Sequence, residues 1–197
     1  MTISKRQQIL DAALVLFVQQ GLEGAATAKI AKAAGVATGT LFHHFTNKQA
    51  LISALYLDIK QEIADSLPAL QAEQEALSLA KKLWQSALNW AVAHPDKVRF
   101  LLAYYQSPLL DAEARKTAKF ETLGVVLELL ILGKQQGLIN DLPDELLLEM
   151  CHALFMASAA YFIDHPHLAN DKRQQQATMT MFWNALATSG NQIPLEP

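Results

Sequence analysis

A single cysteine, Cys151, is all that 197 residues contain. An internal disulfide is therefore excluded, and a lone thiol on an apolar stretch suits a reducing compartment such as the cytoplasm. Glycine and proline are sparse, at eight and seven residues, which argues against a disordered chain or an all-β chain of frequent tight turns. Long apolar runs are missing as well: Glu128 interrupts 123–132, and 153–163 falls short of the ~20 residues of a membrane span, so no membrane partner is expected. Lys5 and Arg6 are followed by no uninterrupted apolar core, so no secretory signal is expected.

The common catalytic signatures are absent too. There is no Gly-x-Ser-x-Gly, no phosphate-cradling glycine loop and no Cys-x-x-Cys. Glu149-x-x-His152 places a carboxylate and an imidazole on one helix face, half of a carboxylate-bridged di-iron pattern, but no second Glu-x-x-His exists. The nearest substitute, Asp164-x-x-His167, straddles Pro166. His165-Pro166-His167 reads as a solvated loop rather than a chelate, and Cys151 as an inert small hydrophobe. The expectation is a protein without enzymatic activity, cofactor or metal.

What is present is helical patterning from end to end. Ile9, Leu10, Ala13, Leu14 and Phe17 form a helix stripe with Ser4 as its cap. Ile30, Ala31 and Ala34 follow at helical spacing and stop at Gly35, a residue that can take the left-handed backbone ending a helix. Val36 then plugs the turn, and Leu41 with Phe45 supplies the buried side of a short helix over about 38–44. The other side of that helix carries Thr38, Gly39, Thr40, His43 and His44, small and polar groups able to approach a duplex and bond to phosphates or base edges. Thr46 or Asn47 can cap a fourth helix, which puts Lys48 in its first turn, where free amides and a cation favour a phosphate.

Charge is distributed to match. The whole chain is −3, a balance that alone disfavours nucleic acid. Residues 1–48 nevertheless hold five basic residues (Lys5, Arg6, Lys29, Lys32, Lys48) against two acidic ones, a net of +3, leaving 11 basic against 17 acidic, a net of −6, for the rest. A cationic head on an anionic body orients the head toward DNA.

Ile-Leu-x-Ala-Ala at 9–13, Phe17, Gly21, Ile30-Ala31, Ala34-Gly35-Val36, Gly39-Thr40-Leu41, Phe45 and Lys48 together resemble the TetR/AcrR family of repressors. The resemblance covers the first quarter of the chain. It implies that the Thr27 hydroxyl meets a phosphate, that Thr38, Gly39, Thr40, His43 and His44 lie on the recognition helix, and that Lys48 is a phosphate-binding lysine. Ala25 and Ala26 stand where the family usually carries Thr or Ser, Ala37 where it has a Ser cap, and Phe42 where it often has Tyr. Capping then falls to Thr27 or goes without, at about 1 kcal/mol if uncompensated, and fewer phosphate contacts imply weaker binding. Protonation of His43 or His44 beside a phosphate would tighten binding as pH falls through the histidine range.

Beyond the head the spacing predicts helices over 51–67, 71–93, a stretch opened by Pro95, a long helix from Asp111 to near Gly137, and helices over 144–164 and 171–188. The segment 145–164, ELLLEMCHALFMASAAYFID, is apolar nearly all round and needs partners on every side. A homodimer follows, its last two helices pairing with their mates in a four-helix bundle, as the family resemblance also implies. Candidate interface residues are Ala157, Tyr161, Met179, Phe182 and Trp183.

The expected fold is therefore all-α: a three-helix helix-turn-helix DNA-binding head over 1–48 and a larger ligand-binding and dimerisation body over 49–197. The resemblance places a small-molecule effector inside the body. Trp84, Leu88, Phe100 and Tyr104 are candidate lining residues, with Phe120, Phe155 and Met156, and Tyr104, Cys151 and His152 supply polar points. Each reads first as ordinary core and only second as a ligand contact. Few charges are expected in the interior, which points to an apolar or weakly polar effector. The function expected is a ligand-responsive regulator, a repressor released from a palindromic double-stranded operator; the alternative is a helical small-molecule-binding protein whose head has weakened.

Overall fold

The computed structural model describes residues 4–69, 75–105, 107 and 124–195. Among them are nine α-helices, one short 3-10 turn and no strand; the only β-type pairing is an isolated antiparallel bridge between Ile139 and Ala187. Packing divides the chain into two compact units, 1–61 with 96–118, and 62–95 with 119–197. This division by packing differs from the division by motif at residue 48, because the first part of the fourth helix and residues 96–118 fall in the first unit.

In the first unit, α1 (Lys5–Gly24) is capped by Ser4, whose hydroxyl accepts from the Gln7 amide at 3.2 Å. Ile9, Leu10, Ala13 and Phe17 are buried, as their spacing requires. Gly21, at φ 76° and ψ 163°, breaks the helical geometry, a left-handed position that favours glycine. The segments α2 (Thr27–Ala33) and α3 (Thr38–His44) pack on α1 and on each other. Between them Gly35 takes φ 67° and donates to Lys32 O, while the Val36 amide closes on Ala31 O. Asn47, rather than Thr46, caps α4 (Lys48–Ser66), accepting from the Ala50 amide at 2.8 Å. The described part of α6 (Pro95–Tyr105) lying in this unit brings Phe100 to 6.0 Å from Phe17 and Tyr104 to 4.7 Å from Tyr56, ring centre to ring centre.

In the second unit, α5 (Ala76–Ala93), α7 (Gly124–Gln135), α8 (Asp144–Asp164) and α9 (Lys172–Leu186) close around one core. Leu79, Leu83, Trp84, Leu130, Phe162 and Trp183 are among its members. Gly133 is required here by close approach, since a Cβ would run into Ile139. Gly137, at φ 69°, turns the chain after α7.

Helix limits moved in places. The α5 helix begins at Ala76 rather than 71, with 70–74 outside the described residues. The helix expected from Asp111 is described only from Gly124, and ends at Gln135. On α9, Asp171 is the cap, accepting from Arg173 and Gln174 amides, and the last helical residue is Leu186 rather than Thr188.

The apolar helix α8 is long and apolar enough, by length and composition alone, to cross a membrane, the one such helix among the described residues. It packs against α5, α7 and α9 through Leu147, Leu148, Cys151, Ala159 and Phe162. It is not enclosed by this chain on every side: Leu146, Met150, Ala153, Ala157 and Tyr161 are exposed and follow one another at spacings of three and four, a single line along the helix.

Candidate nucleic-acid interface

The geometry of α3 separates two faces. Leu41 is fully buried and Phe45 nearly so, and they anchor the helix to the head. Thr38, Gly39, His43 and His44 are exposed, and Thr40 is half-buried. The two imidazoles lie edge to face with centroids 5.6 Å apart. All five residues expected on a recognition helix therefore belong to one seven-residue segment whose apolar side is fixed.

Gly39 is informative. Its φ is not in the left-handed region, and a Cβ placed on it would meet nothing within 4 Å. Neither backbone conformation nor packing within the chain calls for glycine here, although glycine weakens a helix.

The caps are as sparse as the sequence implies. Ala26 precedes α2 and Ala37 precedes α3, and neither provides a side-chain cap; Thr27 is the first helical residue of α2 and half-buried rather than its cap. Phe42, without a hydroxyl, is 43% exposed on α3.

The basic residues are partly committed. Lys48 Nζ donates to the backbone oxygen of Glu23 at 2.7 Å, which ties the start of α4 to the end of α1. Arg6 was not singled out as a site residue by its pattern. Its guanidinium lies 5.7 Å from the Phe45 ring centre and 3.8 Å from Asp58, so it braces the residue that ends α3. Lys29 and Lys32 are exposed on α2.

The residues proposed for effector binding fall into two groups. Phe100 and Tyr104 stack with centroids 5.9 Å apart in the first unit. Trp84 and Leu88 lie in the core of the second, where Trp84 stacks on Phe182 at 4.6 Å and meets Phe155 edge-on at 6.3 Å. Cys151 and Met156 are buried on α8, while His152 and Phe155 are half-buried. Burial pushes the Cys151 thiol up to about 12, which leaves it a poor nucleophile. Phe120 lies outside the described residues.

Of the dimer candidates, Ala157 and Tyr161 are exposed, on the apolar line of α8. Met179, Phe182 and Trp183 are buried by their own chain, and the Trp183 indole donates to Asn191 O at 2.9 Å. Among the described residues no group of three or more His, Cys, Asp or Glu is placed to hold a metal ion.

The family model described as bacterial regulatory proteins, tetR family, matches residues 9–55. A solved structure of a TetR-family transcription regulator from Shewanella sp. PV-4 superposes with a TM-score of 0.89 at 41% identity, covering 94% of this chain and 100% of that one. Two curated relatives match over shorter stretches. The HTH-type transcriptional regulator BetI of Cronobacter sakazakii is 36% identical over 81 residues, 39% of this chain and 40% of BetI. The HTH-type transcriptional repressor KstR2 of Rhodococcus jostii is 32% identical over 108 residues, 50% of this chain and 52% of KstR2. The chain thus spans about half or less of the length of these curated relatives.

Proposed function

This chain belongs to the TetR family of transcription regulators, and from that premise we propose that it is a dimeric, ligand-responsive DNA-binding repressor, released from a palindromic operator by a small effector. The observation that carries this reading is the exposed face of α3, with Gly39 bare for no reason internal to the chain. Thr38, Thr40, His43 and His44 read base edges or phosphates there, while Thr27 and Lys48 hold the phosphate backbone. Such a regulator works in the cytoplasm, beside the DNA.

The dimer is supported by the exposed apolar line on α8. Leu146, Met150, Ala157 and Tyr161 lie along it, and Met181 and Ala185 are exposed one turn apart on α9. Two copies joined along such faces cover apolar surface that one copy leaves in water. Two-fold symmetry then sets the recognition helices about one DNA turn, ~34 Å, apart. An effector that favours a different head spacing releases the operator by its unequal affinity for the two states. Its apolar body suits either aromatic set, Phe100 and Tyr104, or Trp84 with Leu88, Phe155 and Met156.

The reading of a ligand-binding protein with an idle head is disfavoured, because the head matches the tetR family model over residues 9–55, with Gly35 turning the chain and Leu41 and Phe45 buried behind the exposed face of α3. Selection from a random duplex pool tests the proposal. It should return two-fold symmetric sequences with half-sites about one turn apart; a pool with no enriched sequence would contradict it.

A further inference from the structure

Lys60 is the one charged residue buried among the described residues, 6% exposed. Its ammonium lies 5.8 Å from the centre of the Tyr56 ring, and among the described residues burial alone accounts for its perturbation, with no carboxylate paired to it. Asp58 and Glu62, two residues to either side along α4, point to other business: Asp58 faces Arg6, and Glu62 accepts from Trp90 and sits by His94. One turn toward the N-terminus from Tyr56, the buried Ser53 hydroxyl has no hydrogen-bond partner. Ser53, Tyr56 and Lys60 follow at spacings of three and four and therefore share one face of α4.

Two polar groups left incomplete on one helix face, a buried ammonium and an enclosed hydroxyl, are costly, and such violations in native chains concentrate at functional sites, where a bound group can complete them. The neighbours identify the rest of that ligand. Tyr56 packs on Tyr104, and Tyr104 stacks on Phe100, so the surroundings are aromatic.

We propose that Lys60, aided by the Ser53 hydroxyl, receives the carboxylate of the effector, a small organic acid whose apolar or aromatic body lies against Tyr56, Tyr104 and Phe100. One ammonium balances one negative charge; a phosphate dianion would leave a charge uncompensated in apolar surroundings. Without a ligand, burial lowers the lysine pKa to about 8, and a bound carboxylate restores the charged form. The proposal rests on the regulator reading and amends the expectation of a weakly polar effector: the body stays apolar, and one end is an acid.

The test uses the full chain and its Lys60→Met and Ser53→Ala variants, with octanoate, benzoate and 3-phenylpropionate, each beside its primary amide. At least one acid should raise the melting temperature of the wild type while its amide does not. Lys60→Met should abolish that rise, with affinity reduced about tenfold or more, and Ser53→Ala should reduce it. The ligand-free Lys60→Met variant should melt no lower than the wild type, which separates lost binding from lost folding. A wild type that responds to none of the acids, a response shared equally by the amides, or one that survives Lys60→Met would overturn the proposal. Binding of the ligand-free wild type to selected duplex is measured in parallel: its absence refutes the regulator reading, whereas its presence with no acid response refutes the Lys60 assignment alone.

Discussion

Lys48 and Glu23, 25 residues apart, are joined by a bond of 2.7 Å from Nζ to the backbone oxygen. The lysine that the motif assigns to phosphate thus also holds α4 against the end of α1, a helix with no basic residue in its last turn. Lys48→Ala should lose both roles. Denaturant unfolding should show a loss of about 1 kcal/mol, and duplex binding should weaken uniformly across sequences with the salt slope reduced by about 1. Loss of sequence preference with an unchanged salt slope would place Lys48 on base edges instead.

At Gly39 stability and function are expected to move in opposite directions. A methyl group there meets nothing in the chain, and alanine is the better helix former by up to about 1 kcal/mol. Gly39→Ala should therefore raise the melting temperature while weakening specific duplex binding. An alanine variant that binds as tightly as the wild type would remove the close-approach argument.

Ala157 is exposed in the middle of the apolar line of α8. Ala157→Glu should leave the chain folded, because the side chain meets water in a single copy, and should shift sedimentation from dimer to monomer through an uncompensated charge in the interface. A variant that remains dimeric at micromolar concentration would place the interface elsewhere.

Lys60 gives a pH signature with a definite sign. Its folded-state pKa, lowered to about 8 by burial, lies below the 10.5 ordinary for a lysine. Between those values the unfolded chain holds more protons than the folded one, so this group makes stability rise with pH from about 8 to 10.5 and adds no slope below. Lys60→Met should remove that rise and stabilise the ligand-free chain at pH 7 by up to about 3 kcal/mol, taking 1.36 kcal/mol per unit. Difference unfolding curves at pH 7, 9 and 10.5 measure it, and equal slopes in both proteins would show that Lys60 is charged and satisfied.

Much of the head was legible in the sequence because its signals are local. Ser4 caps, Gly35 turns left-handed, and Leu41 and Phe45 face inward, all from spacing and turn chemistry. The break at Gly21 was less visible, since apolar residues continue on both sides of it. Lys60 was missed for a physical reason: a lysine beside Ile59 on an amphipathic helix ordinarily extends its stem to water, and only tertiary packing encloses it. Met179, Phe182 and Trp183 show the converse limit. Their pattern marks them as buried without saying whether their own chain or a second copy buries them, and it is their own chain that does. Spacing likewise could not separate Phe100 and Tyr104 from Trp84 and Leu88, because membership of a packing unit is set by contacts far apart in sequence.

The reading of α3 as a DNA-recognition helix is tested most directly by fluorescence anisotropy of the wild type against the selected palindrome and a scrambled duplex, repeated from 50 to 200 mM salt. Binding to the palindrome about 10³-fold or more tighter than to the scramble, weakening steeply with salt, is the expected result. Equal, weak binding to both duplexes at every salt concentration would contradict it.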